Sequence, residues 1–153
     1  MPKRSAGILP YRKSNGELEV LLAHPGGPFW QKRDEGAWSV VKGEYGEGEA
    51  PEVAARREFK EETGWDVVHD MHPLGEIRQK GGKYLTAFAI EADFDPTSFA
   101  SNSFELEWPP RSGRFQTFPE VDRLAWFGLA KGREKILPSQ APLLDRLVEL
   151  LVP

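Results

Sequence analysis

Residues 43–65 read GEYGEGEAPEVAARREFKEETGW, and this stretch decides how the rest of the chain is read. Pro51 suits the first position of a helix, where its missing N–H is no loss. Glu49 and Glu52 lie where the helix dipole favours negative charge, and Gly64 suits the left-handed stop that ends many helices. The prediction is therefore a helix over Pro51–Thr63. On it, Glu58, Glu61 and Glu62 stand at i, i+3 and i+4, so their carboxylates share one face. Ala54 and Ala55 lie one turn earlier on that face and should leave it clear. Like charges this close repel unless something neutralises them, and a hard divalent cation does so through oxygen ligands. Taken alone, the run REFKEE also fits a solvated helix face laced with salt bridges.

Working outward, residues 6–12 and 18–23 are apolar-rich runs around Ser14-Asn15-Gly16 and read as a β-hairpin. Pro25-Gly26-Gly27-Pro28 opens a loop that runs through Phe29 and Trp30 to Gly36. Residues 37–41 form a short strand candidate that ends at Lys42-Gly43. Beyond the helix, residues 65–69, 74–79 and 83–91 read as strands, the last two joined by Lys80-Gly81-Gly82. Residues 95–113 are expected to be irregular, with Pro96, Pro109 and Pro110 as breakers. Residues 123–127 read as a strand. Residues 139–151 read as a closing helix with Leu143, Leu144, Leu147, Val148 and Leu151 on one face. Strands on both sides of a central helix indicate a layered α/β domain.

The chain has 153 residues, enough for one domain with a filled core, and 39% hydrophobic with 29% charged residues is the profile of a soluble globular protein. The absence of cysteine excludes a disulfide framework, a thiolate metal site and a cysteine nucleophile. The first apolar run is broken by Pro10 and Tyr11-Arg12-Lys13, too early for a signal-peptide core or a membrane span. A cytoplasmic protein without a membrane partner is expected. A net charge of −4 argues against a long nucleic acid as partner, since such binders rely on basic surfaces. A small phosphorylated substrate needs only a metal and a few local cations.

Residues 43–65 also resemble the Nudix pattern G-x5-E-x7-R-E-U-x-E-E-x-G-U, where U is bulky and apolar. Gly43, Glu49, Arg57, Glu58, Phe59, Glu61, Glu62, Gly64 and Trp65 fill every specified position. The resemblance implies a Nudix-type α/β/α sandwich with a mixed β-sheet, one domain spanning residues 1–153. It also implies a magnesium-dependent hydrolase, with manganese as a substitute, that cleaves a phosphoanhydride bond in a nucleoside diphosphate linked to another moiety. Dinucleoside polyphosphates and nucleoside triphosphates lead the candidate substrates. Metals would be held by Glu58, Glu61 and Glu62 beside Gly43, while Arg57 pairs with Glu49 to hold the loop on the helix. The base would be Glu58, Glu61 or a carboxylate outside the box. For that carboxylate, Glu120 stands six residues before Trp126, a spacing similar to that in MutT-like enzymes, with Glu105 and Glu107 as competitors.

For substrate binding, Lys42 could meet a phosphate. Arg4, with Arg78, Lys80 and Lys83, could form a second basic edge. Tyr84, Phe29, Trp30, Trp108, Phe115 and Phe118 supply aromatic faces for a base. Many relatives that act on dinucleoside polyphosphates carry Pro-Lys-Gly where this chain has Val41-Lys42-Gly43. Two alternatives stand beside the main reading. One is removal of a 5′ pyrophosphate from RNA, disfavoured by the acidic charge. The other is a binding or sensor module without chemistry, which a degraded box would indicate, whereas this box is intact. The isomerase branch of the fold resembles a scheme with a catalytic cysteine, which this chain lacks.

Overall fold

A computed structural model describes residues 2–152 of the chain. The predicted hairpin joins β1 (Arg4–Ser14) to β2 (Glu17–Pro25). Asn15 and Gly16 between them take the left-handed backbone, φ 53° and 80°, that a tight two-residue turn requires. On its other edge β1 pairs in parallel with β5 (Tyr84–Glu91), which pairs antiparallel with β4 (His72–Arg78). β2 pairs antiparallel with β8 (Val121–Gly128). With β3 (Val41–Glu44) antiparallel to the start of β1, the result is a mixed sheet of six strands.

Period-two alternation along β1 divides the core. Ala6 and Ile8 pack with Ala54, Ala55 and Phe59 of α1 (Pro51–Thr63). Leu9 and Tyr11 pack with Leu143, Leu144 and Leu147 of α3 (Ala141–Leu151) on the opposite face. Helices thus cover both sides of the sheet. α1 has the predicted bounds, and Gly64 ends it at φ 82° with its N–H on the Lys60 carbonyl. Ala54 and Ala55 do not serve to clear the carboxylate face. Both are fully buried, and their small size brings α1 close to the sheet.

β2 and β3 share one edge of β1, β2 at Tyr11–Ser14 and β3 at Ser5–Ile8. The chain bridges β2 at Ala23–Ser39 and then crosses to β1, leaving a wedge between the two strands.

Three expectations change, and one helix is new. Residues 65–69 form a loop rather than a strand. Arg56 donates to the carbonyls of Val67 (2.6 Å) and His69 (3.4 Å), and Trp65 stacks on Phe94 at 4.5 Å. Residues 37–41 make only isolated bridges before Val41 opens β3. Residues 95–113 are not wholly irregular, because they contain β6 (Ser103–Glu107), which pairs with β7 (Phe115–Pro119) as an arm separate from the main sheet. A short helix, α2 (Leu129–Lys135), precedes α3. Its interior Gly132 sits against Val20, where an added Cβ would lie 3.3 Å from the valine methyl. Among the described residues, no helix is long and apolar enough to cross a membrane.

Candidate active site

The site is assembled where α1 lies on β3. Arg57 is its organising cation. Nε and Nη2 donate to the two carboxylate oxygens of Glu49 at 2.8 and 2.9 Å, a bidentate fork across the loop that enters the helix. Nη1 reaches Glu58 at 2.7 Å and Glu61 at 3.3 Å. These bonds raise the Arg57 pKa further, so the guanidinium stays charged, and they hold the Glu49 carboxyl below its ordinary value.

The three glutamates differ. Glu61 remains substantially exposed, whereas Glu58 and Glu62 are buried. Burial raises the Glu58 pKa even against the pull of Arg57. Glu62 is pushed up to about 8, first by burial and then by the charges of Glu120, Glu58 and Glu61, with Lys42 opposing. Its Oε2 is buried without a hydrogen-bond partner. Gly43 on β3 faces Glu58 closely: a Cβ there would lie 1.9 Å from Glu58 Oε2. Any side chain would displace that carboxylate.

In the wedge beside β3 lies a cleft of about 220 Å³ whose walls include Lys42, Glu62, Glu120, Trp30, Pro25 and Ser39. Burial, together with the charge of Lys83, lowers the Lys42 pKa, while Glu44, Glu62 and Glu58 oppose the shift. Burial raises the Glu120 pKa, and Lys42 opposes it. Among the described residues, no three acidic or imidazole groups converge at coordinating range. Arg57 Nη1 instead takes up both Glu58 and Glu61. The donor set still suits a hard cation. It is all oxygen, it holds an orphaned buried carboxylate oxygen on Glu62, and its glycine cradle lets backbone approach Glu58.

The family profile described as the NUDIX domain matches residues 1–147. The chain belongs to the Nudix hydrolase family. It is also 30% identical over 141 residues to an octanoyltransferase from Myxococcus xanthus, covering 91% of this chain but 34% of that protein. The chain therefore spans about a third of that relative's length. Among solved structures, the C. elegans Ap4A hydrolase aligns with a TM-score of 0.66 at 20% identity, covering 99% of this chain and 100% of that one. The NUDIX domain of Shewanella oneidensis NrtR, solved as a complex with ADP ribose, aligns with a TM-score of 0.68 at 15% identity, covering 99% and 90%. At these identities the likeness is one of fold.

Around the Nudix box, the residues named from sequence divide into two groups. Lys42 and Glu120 come together with Glu62 at the cleft. Glu105 and Glu107 do not border it: Glu105 is exposed on β6, and Glu107 accepts the backbone N–H of Arg111 at 3.1 Å. Arg4 and Tyr84 lie with each other, outside the cleft. The Arg4 guanidinium is 5.5 Å from the Tyr84 ring centroid and donates to Glu76 at 2.9 Å. Sequence reading missed two buried polar residues that shape the walls. The Gln140 Oε1 accepts the Val40 N–H, and its Nε2 donates to Ser39 and Gln79. His24 links Asp122 at 2.7 Å to the Arg33 carbonyl at 2.6 Å, pinning the Trp30 loop to β8. His24 ends the apolar run of β2, a weak local sign, and Gln140 carries none.

Proposed function

We propose that this Nudix domain hydrolyses a phosphoanhydride bond of a nucleoside polyphosphate, with a dinucleoside polyphosphate or a nucleoside triphosphate as substrate and magnesium, or manganese in its place, as the metal. The observation that carries this reading is the cleft that Glu62, Glu120 and Lys42 line beside the box, with one Glu62 carboxylate oxygen buried and unpartnered. Glu58, Glu61, Glu62, the Gly43 backbone and Glu120 would hold the metal. Bound there, a divalent cation supplies neutralisation of the phosphate oxygens and a water acidified for attack.

The chain's own groups account for the remainder. Lys42 brings a positive charge into a partly desolvated cleft, where its attraction for a phosphate oxygen exceeds that of a surface lysine. Arg57 holds Glu58 and Glu61 in place against their mutual repulsion. The proton of the attacking water goes to a carboxylate outside the Arg57 network, which leaves Glu62 and Glu120. Both line the cleft beside Lys42, and without metal burial raises the pKa of each above the ordinary carboxylate value. Fold neighbours that include an Ap4A hydrolase and a NUDIX domain in complex with ADP ribose support a nucleoside phosphate as the substrate class.

A panel of diadenosine polyphosphates, nucleoside triphosphates, nucleotide sugars and NADH, assayed with magnesium, manganese or EDTA, tests the proposal. Magnesium-dependent release of a nucleotide from at least one compound is expected. Tight binding across the panel without turnover would transfer the assignment to a sensor module.

A further inference from the structure

We propose that the β6–β7 arm and the Phe29 loop packed against it form a second subsite, which takes the distal nucleoside phosphate of a two-ended substrate such as a dinucleoside polyphosphate. This inference rests on the phosphoanhydride reading of the neighbouring cleft. It begins from size: at about 220 Å³ the cleft is smaller than the roughly 300–1,000 Å³ pockets that take one drug-sized ligand, and a dinucleoside polyphosphate is larger than such a ligand. Part of any dinucleoside polyphosphate must lie outside it.

The arm is built onto the mouth of the cleft. β7 runs directly into Glu120, and the Gly26 N–H donates to the Glu120 carbonyl at 3.0 Å. A Cβ on Gly26 would lie 1.9 Å from the Pro119 carbonyl oxygen, so loop and arm meet backbone to backbone. One residue on, Gly27 lies over the Phe104 ring, where an added Cβ would be 3.0 Å from Cζ. Phe104 in turn pairs with Phe118 across the arm, with ring centroids 6.0 Å apart. The loop then carries Trp30 into the cleft wall and leaves Phe29 61% exposed, edge-on to Trp108 of the arm at 5.3 Å.

Charge identifies the occupant. Arg33, Arg111 and Arg114 are exposed, and among the described residues none of them makes an ion pair. Arg33 lies over the Trp30 ring at 5.5 Å, and the Trp108 N–H donates to the Arg114 carbonyl, which places that arginine beside the tip aromatic. On a chain of net charge −4, open arginines beside exposed aromatic rings favour a ligand that is both anionic and planar. A base attached to phosphate has both properties: stacking is satisfied by any aromatic face, and arginine suits phosphate oxygens.

The test compares diadenosine tetraphosphate, ATP and a short 5′-triphosphorylated RNA as substrates of wild type, Phe29→Ala, Trp108→Ala and the double charge reversal Arg111→Glu/Arg114→Glu. The ratio of kcat/KM for the two-ended substrate to that for ATP should fall about tenfold or more, through KM rather than kcat. An unchanged ratio overturns the subsite. So does a fall seen only with 5′-triphosphorylated RNA, which would give the arm to RNA. Binding of a non-hydrolysable diadenosine tetraphosphate analogue is measured in parallel. If wild type cleaves neither substrate, the hydrolytic reading fails, while weaker analogue binding by the arm variants still supports the subsite and equal binding removes it. The charge-reversed side chains are exposed, so that variant keeps the test open if an aromatic one fails to fold.

Discussion

In residues 43–64 the charges answer one another: Arg57 alone engages Glu49, Glu58 and Glu61. The arm formed by residues 103–119 does the opposite. Its rings lean on each other and on the Gly27 loop, and Arg111 and Arg114 face solvent. The two regions meet at Glu120. On the proposed reading, the difference separates two tasks. A carboxylate cluster must hold its oxygens within a fraction of an ångström, so it is built on a helix and braced by a bidentate arginine. The Glu49–Arg57 pair is too exposed to add much stability, and its value is positional. A surface that accepts a base needs only planar faces and exposed cations, and a two-stranded arm would suffice.

If that contrast holds, the largest losses come from the box. Glu58→Gln and Glu62→Gln should each lower turnover by about 10²–10⁴-fold. Gly43→Ala should approach them, because its Cβ would lie 1.9 Å from Glu58 Oε2. Steady-state assays across magnesium concentrations separate the roles: a metal-ligand variant recovers in part at high magnesium, and a base variant does not. Near wild-type rates for all three would mean that the box is not the active site.

Glu120 tests the boundary. Glu120→Gln should slow turnover by about tenfold, given a half-buried carboxylate whose charge acts on Glu62. Glu105→Gln and Glu107→Gln, which do not line the cleft, should stay within about twofold. Greater damage from Glu105→Gln would mean that the arm folds over the box in the working enzyme, and the division between the regions would collapse.

This contrast also explains what could be read from sequence. The box obeys local rules: Pro51, Gly64 and the carboxylate spacing all act within a few residues, so the bounds of α1 were legible. The arm carried a weaker sign, the alternation of Phe104 and Leu106 with Glu105 and Glu107. Pro109 and Pro110 masked it, although they lie in the connecting tip, where a proline breaks no ladder. Residues 65–69, which read as a strand, instead give their Val67 and His69 carbonyls to Arg56 on the helix. Gly132 hid α2, since glycine weakens a helix unless packing requires it. Glu120 was placed by its distance from Trp126. His24 and Gln140 were not legible, because their partners are far along the chain and no spacing relates them.

The smallest effect is one of stability, and it reports on the box alone. Without metal, the folded protein keeps a proton on Glu62 up to about pH 8, whereas an unfolded glutamate releases it near pH ~4.3. Between those values the native state binds more protons than the unfolded one, so stability falls as pH rises. Glu58 and Glu120 are shifted in the same direction and add to the slope. Lys42, whose pKa is lowered, works in the opposite sense towards the alkaline end. In EDTA the Tm should therefore be roughly 5 °C lower at pH 8 than at pH 5.5, after allowance for a cleft open to water. Magnesium should raise the Tm more at pH 8 than at pH 5.5, because the ligands must first lose their protons. Glu62→Gln should flatten the slope, and Arg111→Glu/Arg114→Glu should leave it in place. A flat profile in EDTA with an equal magnesium effect at both pH values would mean that Glu62 ionises freely. An arm variant that flattened the slope would mean that the two regions share their electrostatics after all.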